Sequence, residues 1–155
     1  MSTLDQLLHD YSAIHRHPVN QALHAIGIPL ILASGAGLLQ ALPAVTLLGQ
    51  PLAPIWLATA LLVREMGRWS WPIAGGIAAW LLAAAALAEW ALHVGVTPGG
   101  LAAVSGAGFV AAWVLQFLGH AFERASPAFI RRPEFLAAGP LSLAAALYRR
   151  LGIPI

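Results

Sequence analysis

The chain has 155 residues, of which 59% are hydrophobic and 9% charged, and its formal charge is +2. A soluble domain carries about 25% charged residues, so too few polar side chains exist here to cover a water-facing surface, and a bilayer is the expected solvent. The slight positive excess, with no basic run interleaved with stacking aromatics, excludes a nucleic-acid partner; the absence of cysteine excludes disulfides and thiolate metal sites.

The first residues carry Asp5 and Asp10 before any apolar run, which is the wrong order for a cleaved signal peptide. Four segments then approach the roughly 20 apolar residues that a helix needs to cross hydrocarbon. They are residues 23–42, 45–63 (interrupted by Pro51 and Pro54), 71–92 and 100–120. A shorter stretch, 135–148, contains Pro140 and ends at Tyr148, Arg149 and Arg150. It is expected to lie at the interface or fold back. Alternating polarity is missing, so the fold class expected is all-α, an integral membrane helical bundle forming one domain over residues 1–155. Glycines within the spans, Gly35, Gly37, Gly75, Gly76, Gly106 and Gly108, read as sites of close helix packing.

With four spans, all eight arginines fall on one side: Arg16, Arg64, Arg68, Arg124, Arg131, Arg132, Arg149 and Arg150. The positive-inside rule then puts both termini in the cytoplasm. The same topology sorts the histidines. His9, His15, His17 and His24 belong to the cytoplasmic mouth of the first span, and His120 to that of the last. His93 ends the third span on the opposite face, with Glu89 four residues before it as a local partner.

Residues three and four apart share a helix face. Gln116, His120 and Glu123 follow that spacing in the last span, and Asn20 and His24 follow it in the first. His15, just before Pro18, can swing back toward His24. Imidazoles gathered without a counter-charge repel once protonated, whereas a divalent metal binds them neutral and holds them together. His15, His24 and His120 are therefore the candidate metal ligands, with Asn20, Gln116 and Glu123 as neighbours. The nitrogen and oxygen donor set suits iron, zinc or manganese. His9 and His17 are expected to face solvent. The rival from another class is a small transporter with the cluster as a proton or metal relay; the nearly apolar second and third spans count against it. A di-iron hydroxylase or desaturase would need HxxHH boxes, and none occurs.

Two motifs also carry a family resemblance. YSAIHRHPVNQALHAIGIP, residues 11–29, fits Y/F-x-x-x-H-x-x-P-V-N-x-x-x-H-x-x-G-x-P. WVLQFLGHAFERASPA, residues 113–128, fits W-x-x-Q-F-x-G-H-x-F-E-x-x-x-P-A. Together they resemble the Mpo-like 2-hydroxy fatty acid dioxygenases of fatty-acid α-oxidation. The resemblance implies an Fe(II)-dependent enzyme that uses O2 as co-substrate to shorten a 2-hydroxy fatty acid by one carbon. Its histidines fall on His15, His24 and His120, and Asn20, Gln116 and Glu123 are motif positions expected to serve catalysis. Membrane lipid is the surrounding partner. The alanine- and arginine-rich, lysine-free composition points to a GC-rich bacterium, hence an inner membrane with the site at the cytoplasmic face.

Overall fold

The computed structural model describes residues 3–155, and among these it contains six α-helices, one 3-10 turn and a two-stranded hairpin. The helices are α1 (Thr3–Ala13), α2 (Pro18–Gln40), α3 (Pro54–Gly67), α4 (Trp71–His93), α5 (Pro98–Glu123) and α6 (Phe135–Arg150). The strands β1 (Val45–Leu47) and β2 (Gln50–Leu52) pair antiparallel. Three helices, α2, α4 and α5, are long and apolar enough to cross a membrane.

The long helices start where the local sequence stops their first turn from fraying. Each has proline in its first turn, where the missing N–H is not needed. Each is also capped by a side chain one residue earlier. The His17 ring accepts from the Val19 N–H at 3.2 Å, Ser70 Oγ from Ile73 at 3.3 Å, and Thr97 Oγ1 from Gly100 at 3.0 Å. Such a cap typically contributes about 1 kcal/mol.

The expected second span takes a different form. Residues 45–52 make the β-hairpin, turning through Leu48 and Gly49, both at positive φ (51° and 80°). That is the geometry a two-residue hairpin turn demands. Proline at 54 then starts α3, whose 14 residues rise about 21 Å, short of the roughly 30 Å hydrocarbon core. The segment is apolar enough to cross, but Gly49, Pro51 and Pro54 divide it.

The main packing is α2 against α5, and small residues bring them close. A methyl group at Gly37 would occupy the place of the Ser105 hydroxyl, and one at Gly27 that of the Gln116 amide nitrogen. Ala112 on α5 is fully buried at the same seam. The packing role expected of the glycines therefore holds at Gly37, whereas Gly75, expected to pack as well, faces open space. The N-terminal helix α1 buries Leu4, Leu7, Leu8 and Tyr11, a one-sided stripe that lies in the same core as Phe135, Ala138 and Leu141 of α6. An Arg149–Asp5 ion pair at 3.7 Å joins the two helices at their other ends.

Hydrogen bonds mark the two ends of the bundle. At one end, Asn20 in the first turn of α2 meets Glu123 in the last turn of α5. At the other, Gln40 at the end of α2 donates to Glu89 near the end of α4. Glu89 thus takes Gln40, on another helix, where its spacing to His93 suggests a local partner. His93 closes α4 at this second end.

Candidate metal centre

His15 sits on the turn between α1 and α2, His24 one turn into α2 with respect to Asn20, and His120 on the last turn of α5. The fold brings the three rings together. Their centroids are 4.8 Å apart for His15–His24 and 5.0 Å apart for each of the other two pairs. All three residues are buried, and each offers a ring nitrogen within 4.8 Å of the others. Two nitrogens sharing an ion at about 2.1 Å stand at most about 4.2 Å apart, so a slight inward tilt of the rings completes a site.

The ring orientations suit ligation. His15 Nδ1 lies 2.9 Å from the Tyr11 carbonyl, and His24 Nδ1 lies 3.0 Å from the Asn20 carbonyl. A carbonyl only accepts, so Nδ1 donates in both rings. In the neutral tautomer this leaves the Nε2 lone pair free. His120 Nδ1 is buried with no hydrogen-bond partner, which fits a metal ligand better than a hydrogen-bonded interfacial residue. Three imidazoles around a shared point could hold a metal ion.

His15 is further held by Tyr11, whose ring stacks on it with centroids 3.9 Å apart and planes 15° from parallel. Burial pushes the His15 pKa down from its ordinary value, against the opposing pull of the Tyr11 carbonyl and the Glu123 charge. The ring is therefore neutral at physiological pH. Burial also pushes the Tyr11 phenol well above its usual range, so it stays protonated.

Glu123 fastens the mouth. One carboxylate oxygen accepts from the Arg16 backbone N–H at 2.9 Å. The other accepts from the His17 N–H at 2.9 Å and from Asn20 Nδ2 at 3.0 Å. These bonds fix the strand of chain that carries His15 against the end of α5. Asn20 is fully buried, and a methyl at Gly119 would run into its Oδ1 and stand 3.2 Å from His24 Nδ1. Gln116, one turn before His120, is also buried, against Gly27.

The other histidines lie outside the cluster, as their sequence positions predict. His17 caps α2, His9 is 72% exposed beside Asp10, and His93 is at the opposite end of the bundle.

A cavity of about 630 Å³ opens from the three imidazoles, and Ile28, Ile31, Leu32, Leu62, Met66 and Trp113 make its apolar wall. Residues 124–134 form its cover. Arg124 ends α5 in the left-handed conformation (φ 56°), which reverses the chain and sends it back across the opening. Phe129 then packs on Trp113 at 5.6 Å and on Phe117 at 6.5 Å. Arg132 ties the cover to α1 through Asp10 at 3.5 Å and lies 4.5 Å over the Phe135 ring.

Sequence reasoning left out Tyr11 and this cover. The signal for Tyr11 is its place four residues before His15, one helical turn, inside the first motif. The cover carries no periodic pattern, and only Phe129 hints that it is packed.

No curated protein and no solved structure matches the chain. A family model does, over residues 1–151: 2-hydroxy-palmitic acid dioxygenase Mpo1-like. With a match across nearly its whole length, and with both histidine-bearing motifs meeting in one buried cluster, the chain belongs to the 2-hydroxy-palmitic acid dioxygenase Mpo1-like family.

Proposed function

We propose that the protein is an Fe(II)-dependent dioxygenase of the membrane, which cleaves a 2-hydroxy fatty acid to the acid one carbon shorter. The observation that carries this reading is the junction of three buried imidazoles with a largely apolar cavity. Its size falls in the range of about 300–1,000 Å³ typical of small-molecule sites. One 2-hydroxy acid and one O2 balance to the shorter acid, carbon dioxide and water, so no further reductant is needed.

His15, His24 and His120 would hold the iron, which would supply the redox chemistry by which the substrate's electrons pass to O2. The Tyr11 and Asn20 carbonyls keep the first two rings in the required tautomer. Glu123, with both carboxylate oxygens engaged, positions the His15 turn and does not relay protons. The cavity wall takes the acyl chain in place of lipid, and Phe129 and Phe135 keep water from the head group. Polar groups gathered at one end of the bundle favour a site over a transport path.

The reading places the site at the cytoplasmic face of a bacterial inner membrane, where Arg16, Arg124, Arg131, Arg132, Arg149 and Arg150 meet the headgroups. The test is anaerobic reconstitution of the purified protein with Fe(II), then addition of O2 and 2-hydroxyhexadecanoic acid. A product one carbon shorter, formed in step with O2 uptake, is expected. Unchanged substrate with iron bound would overturn the reading.

A further inference from the structure

Gln116 is 4% exposed, and its Nε2 has no hydrogen-bond partner. Apart from the histidines, Tyr11, the Trp113 indole and the carboxylates Glu65 and Glu134, it is the only polar side chain among the described residues that line the cavity. The two carboxylates are accounted for, being paired with Arg68 and Arg132. The amide is not. A buried amide without a partner costs free energy, and native proteins keep such groups for a reason. Here α2 even gives up a side chain for it, since any Cβ at Gly27 would displace the amide.

Its position says what it could meet. Gln116 precedes His120 by four residues on the same face of α5, so it lies about 6 Å farther along the helix axis, toward the acyl end of the cavity. With its carboxylate among the imidazoles and its chain running toward Gln116, a 2-hydroxy acid presents C2 as its first carbon on that side. We infer that the Gln116 amide reads the 2-position: it is a specificity-determining residue that hydrogen-bonds the substrate's 2-hydroxyl and so favours 2-hydroxy over unsubstituted fatty acids. This rests on the proposed substrate class. The amide suits the task because it offers both a donor and an acceptor to a hydroxyl. An acid lacking the hydroxyl leaves the amide unpaired, and such a deficit discriminates far better than a missing methylene.

The test measures binding without turnover. Anaerobic Fe(II)-loaded protein in detergent is titrated calorimetrically with 2-hydroxyhexadecanoic acid and with hexadecanoic acid, for the unaltered chain and for Gln116→Met. Any preference due to chelation by the ion is common to both proteins, so the ratio of the two preferences isolates the amide. The hydroxyl preference should fall about tenfold in Gln116→Met, the worth of one good hydrogen bond, while hexadecanoic acid binds as before and iron stoichiometry is unchanged. Gln116→Leu carries the same comparison if the methionine variant does not load iron. An undiminished preference, or equal weakening of both acids, overturns the inference and leaves Gln116 a packing residue. If the unaltered protein binds iron but neither acid, the proposed substrate class fails, and the inference falls with it. If it binds both acids equally, only the inference falls.

Discussion

Asn20 and Glu123 are joined by a hydrogen bond of 3.0 Å between side chains 103 positions apart in the chain. Asn20 begins α2, Glu123 ends α5, and the bond closes the mouth of the bundle beside the three imidazoles. Because Glu123 also takes the Arg16 and His17 amides, one carboxylate sets the position of the His15 turn.

Replacing that carboxylate should therefore weaken metal binding without erasing it. Glu123→Ala is expected to lower iron affinity by about 10- to 100-fold, the usual effect of removing a group that orients metal ligands. Asn20→Ala should do the same in part, and the double variant should cost less than the sum of the two. Full additivity in iron titrations would mean that the pair does not act as a unit.

Loss of a ligand should be more severe. His24→Ala and His120→Ala are each expected to purify without iron after reconstitution, whereas His93→Ala, at the other end of the bundle, should load normally. Metal analysis in detergent distinguishes these outcomes, and full occupancy in the His120 variant would defeat the assignment.

Close approach of α2 and α5 at the site can be probed with a single methyl. Gly119→Ala should clash with Asn20 and lower stability by about 1–3 kcal/mol, together with iron loading. Gly75→Ala is the control. A Cβ there would meet nothing within 4 Å, and within α4 the change should be neutral or stabilising by about 0.5–1 kcal/mol. Thermal unfolding in detergent gives the order, and equal behaviour of the two would refute the packing account.

Acid should strip the ion late. Burial lowers the His15 pKa in the folded chain, so the folded state favours the neutral ring. Stability from this group is complete above the unfolded value of about 6.5 and is lost as pH falls from there toward the depressed one. Metal competes for the same lone pair and moves release lower still. Iron occupancy measured against pH should have its midpoint below about 6.5; a midpoint above it would contradict a buried, neutral His15.

The proposed orientation is open to a direct probe, because the chain has no cysteine of its own. Single cysteines at positions 16, 124 and 95 can be introduced and exposed to an impermeant thiol reagent on intact cells and on inverted vesicles. The first two should react only from the cytoplasmic side and the third only from outside. Labelling of positions 16 and 95 from the same side would overturn the topology.

How much of this could be read from the chain depended on the kind of signal. Long uninterrupted apolar runs revealed α2, α4 and α5, because hydropathy over 20 residues leaves few alternatives. The run at 45–63 has the same composition but not the same backbone freedom. Its outcome turned on Gly49, Pro51 and Pro54, which average hydropathy ignores. Helical spacing was enough to put Asn20 and His24 on one face, and Gln116, His120 and Glu123 on another. The meeting of those faces needed the α2–α5 contact, which the glycines at 27 and 119 permit. Tyr11 and the cover over the cavity depend on how α1 and residues 124–134 fold back, and no local pattern encodes that return.

Two of the imidazoles ride on long helices, whereas His15 is borne by a bend in the chain ahead of them. An ion bound by all three would rivet the amphipathic N-terminal arm to the bundle. Loading should then be sensed at a distance, as slower amide exchange and greater resistance to protease at Leu7, Leu8 and Tyr11. The same rivet would make iron supply a determinant of how long the folded protein survives in its membrane.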